Sequence, residues 1–200
     1  MEIEITAARP EHRGPIAELM YSSGTDIYDY LYASRAVDFL RYEFLSGLGF
    51  AGHANVTVAL HEREVVGTGC FYDRDSYREL MNGTVKNYFG HFGKLRALPV
   101  LWRSRHVRSV VRAPKPGELY LANFAVASQL RSQGIGAKLI LHKLDEARRN
   151  GYRIFGLDVS TNNPRGQALY TRLGMQVTKE KVFSNPNAGV PPVRKMELPL

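Results

Sequence analysis

Nine residues, Gln129-Leu130-Arg131-Ser132-Gln133-Gly134-Ile135-Gly136-Ala137, lie between a strand-like run, Leu119 to Val126, and an amphipathic helical run, Gly134 to Arg149. Their types suit a pyrophosphate. Gly134 and Gly136 lack a Cβ, so consecutive backbone N–H groups can approach an anion closely, and a helix beginning there adds the positive end of its dipole. Arg131 sets a permanent charge at the rim. Taken alone, Arg-x-x-Gly-x-Gly-Ala also fits an ordinary strand-to-helix turn.

A second group follows a stop at Asn150-Gly151 and an apolar strand, Ile154 to Val159. In the run from Asn163 to Met175, Asn163 suits a helix N-cap, Pro164 the first helical position and Gly174 the residue after the last turn. Two turns separate Asn163 from Tyr170, which places their side chains on one face roughly 10 Å apart. An amide and a phenol so placed can touch two points of an extended ligand. A core tyrosine and a plain capping asparagine are the structural alternatives.

In order and spacing, these two motifs resemble those of the GCN5-related N-acetyltransferase (GNAT) superfamily, a Gln/Arg-x-x-Gly-x-Gly/Ala loop followed by an Asn-x-x-Ala-x-x-x-Tyr helix. The resemblance is strongest over residues 118 to 180 and looser over the whole chain. Gly166 departs from the family's usual alanine, and Ser132 stands where many relatives carry glycine. The resemblance implies acetyl-CoA as co-substrate, without a metal, held by Arg131, Ser132, Gln133, Gly134, Ile135, Gly136 and Ala137. By the same resemblance, the main chain of Phe124, Ala125 and Val126 pairs with the pantetheine amides as an added strand would, and Asn163 bonds the same arm. A backbone group between Asn123 and Val126 then meets the oxyanion.

Tyr170 occupies the family's general-acid position, and a phenol of pKa about 10 is close enough to a thiol's to protonate a departing thiolate. For a base the candidate is Glu118, which alternation puts on the face of Tyr120, Ala122 and Phe124; a solvated strand-end glutamate is the competing reading. Asp26, Tyr28, Asp29 and Tyr30 lie in the family's substrate-facing helix-to-helix region. Carboxylates among aromatic rings suit a cationic amine, and tyrosines packed between helices would look the same.

The chain has 200 residues, a length for one domain (residues 1–200), with 44% apolar residues to fill its core. No apolar run approaches the roughly 18 residues of a membrane span, and Met1-Glu2-Ile3-Glu4-Ile5 lacks a signal's basic start, so a soluble, cytoplasmic protein without a membrane partner is expected. Cys70, the single cysteine, permits no internal disulfide. The net charge is +8, yet from Leu80 to Gly117 there is no acid while Lys86, Lys94, Arg96, Arg103, Arg105, Arg108, Arg112 and Lys115 supply eight cations. That segment carries the whole excess, so a general nucleic-acid surface is not implied. Arg105, Arg108 and Arg112 suggest one basic side of a helix, with Val100, Val107, Val110 and Val111 on another.

Along the chain, Ile3 to Ala7 alternates as a strand, Arg9 to Ser22 and Tyr32 to Ser46 have helical periods, and Gly24 to Leu31 connects them. Asn55 to Leu60 and Val65 to Tyr72 form a hairpin. Residues 73–115 form a basic, helical insertion, with helices near Ser76 to Tyr88 and Leu101 to Val111, between the third and fourth strands. Gln176 to Lys181 and Val193 to Leu198 close the fold. The class is α/β (α+β), a mixed, twisted central sheet flanked by helices.

Walker and Rossmann loops are incomplete, no Gly-x-Ser-x-Gly elbow occurs, and the six histidines lack metal-ligand spacing. The reading is an acetyl-CoA-dependent N-acetyltransferase acting directly on a primary amine of a small molecule or peptide. The alternative is a non-catalytic acyl-CoA-binding or nucleic-acid-binding module. Acceptor identity and oligomeric state, a homodimer included, are not written in the chain.

Overall fold

The structure, a computed structural model, describes residues 1–200. Seven strands, β1 (Glu4–Ala7), β2 (Val56–His61), β3 (Glu64–Tyr72), β4 (Glu118–Val126), β5 (Ile154–Ser160), β6 (Gln176–Lys181) and β7 (Val193–Pro199), form one sheet in the order β1-β2-β3-β4-β5-β7-β6. Neighbours are antiparallel except β4 and β5, which run parallel. The helices are α1 (Arg13–Ser22), α2 (Thr25–Tyr32), α3 (Ala36–Ser46), α4 (Arg74–Val107), α5 (Ile135–Arg149) and α6 (Pro164–Arg172). No helix is long and apolar enough to cross a membrane.

Helices cover both faces of the central strands, which is why β2 and β3 are apolar almost continuously instead of alternating. On one face Ile16, Met20, Leu40 and Phe44 of α1 and α3 meet Val56, Val58 and Cys70. On the other, Ile135, Leu139, Ile140 and Leu144 of α5 meet Leu119, Leu121, Phe155 and Leu157. Leu141, whose spacing in the amphipathic run Gly134 to Arg149 would place it with these residues, is instead exposed.

Two differences from the sequence reading have physical causes. Gly24 to Leu31 is mostly helix, α2, because Tyr28 and Tyr32 stack on each other and Tyr32 packs on Phe39 and Phe92; in sequence, tyrosines at every second position imitate strand alternation. The insertion is one long helix, α4, capped by Asp73 and broken only at Gly93, whose φ of 75° lies outside helical space. It ends at Val107, so Arg112 lies beyond it and does not share a helix face with Arg105 and Arg108.

Two irregularities of β4 shape the site. Thr68 pairs with Ala125 and Cys70 with Ala122, so Gly69 faces both Asn123 and Phe124, and Asn123 takes φ 51°. This bulge reverses the alternation. Tyr120 and Ala122 face away from α5, but Phe124 turns toward the α5 side, correcting its expected place beside Glu118. In addition, β4 and β5 pair only from Glu118↔Ile154 to Leu121↔Leu157, after which β5 continues along β7 alone. The β4 edge from Ala122 to Val126 is thus unpaired on the β5 side.

Candidate active site

The loop ahead of α5 is a cradle of amides. The N–H groups of Ser132, Gln133, Gly134, Ile135, Gly136 and Ala137 donate to no backbone oxygen; the first amide after them that does is Lys138, to Gly134 O at 3.0 Å. Ser132 at φ 64° and Gly134 at φ 82° break the regular backbone on either side of Gln133, and such left-handed residues in a turn favour concavities lined by free N–H groups. Helix α5 adds its positive dipole end. Gly136 allows close packing of helix on strand, since a Cβ there would stand 3.1 Å from Phe124 Cζ. Arg131 is tied to the end of β4 by its Nε, 3.0 Å from Val126 O.

Helix α6 borders the same opening. Asn163 Oδ1 accepts from Gly166 N at 2.9 Å, which caps the helix. A Cβ on Gly166 would come within 2.7 Å of Asn163 Nδ2, so glycine in place of the family's alanine gives the asparagine room. Arg165, which the sequence reading passed over, donates from Nη2 to Ser132 Oγ at 2.6 Å and so adds a second guanidinium to the cradle. A basic residue in the first turn of the helix that faces the glycine loop was the signal available for it. Tyr170 is 6% exposed, packs its ring 6.2 Å from that of Phe124, and its hydroxyl has no protein partner. Burial raises its pKa, which keeps the phenol protonated.

Across the sheet lies a cavity of ≈ 350 Å³. Its walls come from β4 (Tyr120 to Asn123), β5 (Asp158 and Ser160), α2 (Asp26, Tyr28) and the inner side of α4 (Tyr77, Thr84, Leu101, Val107). It therefore reaches the place where β4 and β5 part. Tyr28 donates to Asn123 Oδ1 at 2.5 Å and so fixes the bulge. Asp158 Oδ2 accepts from Tyr120 Oη and Lys181 Nζ, both at 2.7 Å, and its buried Oδ1 lies 2.7 Å from the same Lys181 Nζ, so the carboxylate is neutralised by a buried ion pair. Burial pulls the Lys181 pKa down against the opposing pull of Asp158. Arg105, Val107, Arg108 and Val111 of the insertion, noted in the sequence for their charge and apolar pattern, also line the cavity, whereas Asp158 was not singled out; a lone acid in an otherwise apolar strand was the available sign.

Other sequence candidates lie elsewhere. Glu118 is 1% exposed, and its carboxylate is held by Lys195 Nζ and by Lys115 N at 2.7 Å, at the closed end of the β4/β5 pair and outside the cavity wall. Asp29 is exposed and accepts from Tyr21 Oη at 2.9 Å. Tyr30 meets His106 Nδ1 at 2.5 Å and packs on Phe183. Of the four proposed acceptor contacts, Asp26 and Tyr28 line the cavity, and Asp29 and Tyr30 do not.

Comparisons with known proteins agree with this geometry. An N-acetyltransferase of Staphylococcus aureus Mu50 superposes with a TM-score of 0.74 at 19% identity, covering 98% of this chain and 100% of its own. The PaiA N-acetyltransferase of Thermoplasma acidophilum, in complex with coenzyme A, gives 0.58 at 13% identity and full coverage of both chains, 100%. The yncA protein of Salmonella typhimurium, with its cofactor acetyl-CoA, gives 0.58 at 17%, covering 100% and 95%. Among curated proteins no significant match occurs. At these identities the superpositions establish the fold, and the family model for the acetyltransferase (GNAT) family matches residues 21–175, most of the chain. A free amide cradle before α5, an unpaired β4 edge and a capped helix carrying Tyr170 thus belong to a chain of the GNAT acetyltransferase family.

Proposed function

We propose that the protein transfers an acetyl group from acetyl-CoA directly to a primary amine of a small molecule held in the cavity. The observation that carries this reading is the run of six unpaired amides from Ser132 to Ala137, which opens beside the gap between β4 and β5. The residues present fit coenzyme A: the amides, Arg131 and Arg165 would hold its diphosphate, and the free edge of Phe124 to Val126 and the Nδ2 of Asn163 its pantetheine arm. Bound acetyl-CoA supplies an activated acyl carbonyl that a neutral amine can attack.

The chain's own groups serve that attack from two sides. The β4 bulge breaks the ladder with β3 at Asn123, and a main-chain donor freed there would meet the negative charge that develops on the carbonyl oxygen. Tyr170, protonated and without a protein partner, gives its proton to the departing sulfur. Asp158, paired with Lys181 on the cavity wall, orients the acceptor's amino group by hydrogen bonding, and the amine reaches the carbonyl in its neutral form after losing its proton to solvent. Tyrosine rings at positions 28, 72, 77 and 120 surround the acceptor's apolar body. With α4 along its inner wall, the cavity suits a compact amine better than an extended peptide.

Transfer without an acyl-enzyme is consistent with Cys70, whose thiol is fully buried and pushed up to about 12 by desolvation. Calorimetry with coenzyme A, then thiol release from acetyl-CoA over a panel of aromatic, aliphatic and peptide amines, tests the reading. Turnover confined to small amines supports it. Coenzyme A binding without turnover of any amine would favour the non-catalytic module, and no binding would end both readings.

A further inference from the structure

Beyond Gly93 the outer side of α4 has a composition that neither the cavity nor the cradle uses. Leu95, Leu98 and Trp102, spaced three and four residues apart, share one helix face and are 84%, 57% and 57% exposed. Pro99 lies among them and is also exposed. Lys94 flanks this apolar stripe on one side and Arg96 on the other; neither forms an ion pair. The inner face is committed to the fold, with Ala97 and Val100 buried against Tyr32 and Phe39. Folding therefore leaves a leucine-tryptophan ridge in water, edged by cations, within a segment that has no acid from Leu80 to Gly117.

We propose that this face docks the protein on an anionic phospholipid surface, with the ridge in the headgroup–acyl boundary and the flanking cations against phosphates. An interfacial helix needs a large apolar side, Trp and Leu at its crest and basic residues beside it. This face carries the Trp–Leu crest and the adjoining cations, and the expectation of no membrane partner rested on the lack of a spanning segment and of a signal-like start, neither of which bears on a surface-bound helix. A second copy of the chain fits less well: a two-fold contact through this ridge would set its cationic rims against each other with no acid between them. Nucleic acid fits less well too, because the centre of the face is hydrocarbon rather than polar. Since Leu101, Ser104 and Val107 on the same helix line the acceptor cavity, docking would bring that cavity close to the bilayer.

Trp102 is the chain's single tryptophan, so its emission reports the environment of this face alone. The test is co-sedimentation of the whole protein with phosphatidylcholine vesicles, with and without phosphatidylglycerol, alongside tryptophan emission. Binding confined to the anionic vesicles, with a blue shift of emission, is expected. Each cation near such a surface contributes about a factor of five, so Lys94→Gln with Arg96→Gln lowers partitioning by roughly 30-fold. Leu95→Ser with Leu98→Ser lowers it at least about tenfold while retaining the reporter and leaving thiol release from acetyl-CoA unchanged. Equal binding to neutral and anionic vesicles, or no binding to either, would overturn the proposal. So would a concentration-dependent dimer dissociated by Leu98→Ser, or nucleic-acid binding that survives the leucine substitutions.

Discussion

Gly134→Ala isolates the backbone geometry of the cradle. A methyl group at residue 134 would meet nothing within 4 Å, so crowding contributes nothing, but φ there is +82°. Holding alanine in left-handed space costs about 1–2 kcal/mol. That energy must appear in one of two places. If the loop keeps its shape, the folded state is less stable by that amount. If it relaxes to negative φ, the six amides no longer converge, and coenzyme A must restore them, raising its Kd roughly 5- to 30-fold. Gly151 is the internal control: its φ is +76° and its Cβ position is equally open, but it follows α5 at the far end. Gly151→Ala should lose similar stability with unchanged affinity. Titration calorimetry with coenzyme A and urea unfolding of both variants give the two quantities. Equal weakening of coenzyme A by both substitutions, or no change in either quantity for Gly134→Ala, would refute the cradle.

Three further outcomes follow from the geometry. Tyr170→Phe removes a hydroxyl with no protein partner, so unfolding free energy and coenzyme A affinity should hold while kcat falls by about 10²–10⁴; an unaltered kcat in steady-state thiol release removes Tyr170 from the chemistry. Glu118→Gln leaves Lys195 without its buried partner and should cost roughly 3–5 kcal/mol in urea unfolding; a stable variant that instead loses the acid-limb pH dependence of its rate would make Glu118 the base. Burial raises Glu43 from 4.5 to about 7, against hydrogen bonds from Thr84 and Asn87. The folded state thus holds its proton more tightly, so this contribution is complete below pH ~4.5 and fades by roughly 3 kcal/mol as pH rises through about 7. Glu43→Gln should flatten that part of the stability profile, and an unchanged slope would show that Glu43 is not responsible.

Local patterns transmitted most of the fold. Helix α5 is readable because its apolar stripe repeats within itself, and the Asn163 cap is readable because its partner, Gly166 N, is three residues away. Helix α2 was not, because its tyrosines become helical only by packing on residues of α3 and α4. Glu118 looked like a candidate base by alternation, yet its cation, Lys195, arrives from a strand 77 residues later. Phe124 changed sides through a bulge whose signal is the register between β3 and β4 and not any residue of β4 alone.

The sequence by itself determined the glycine turn ahead of α5, the capped helix carrying Tyr170 and the charge imbalance of residues 80–117. Each depends on neighbours within one or two turns, and short-range backbone sterics and side-chain spacing settle those without the rest of the chain. Only the tertiary structure decided which β4 edge stays unpaired, which acid faces the acceptor cavity and which side of α4 remains in water. Those outcomes depend on strands and helices far apart in the chain competing for the same buried surface, and no local pattern records which of them wins.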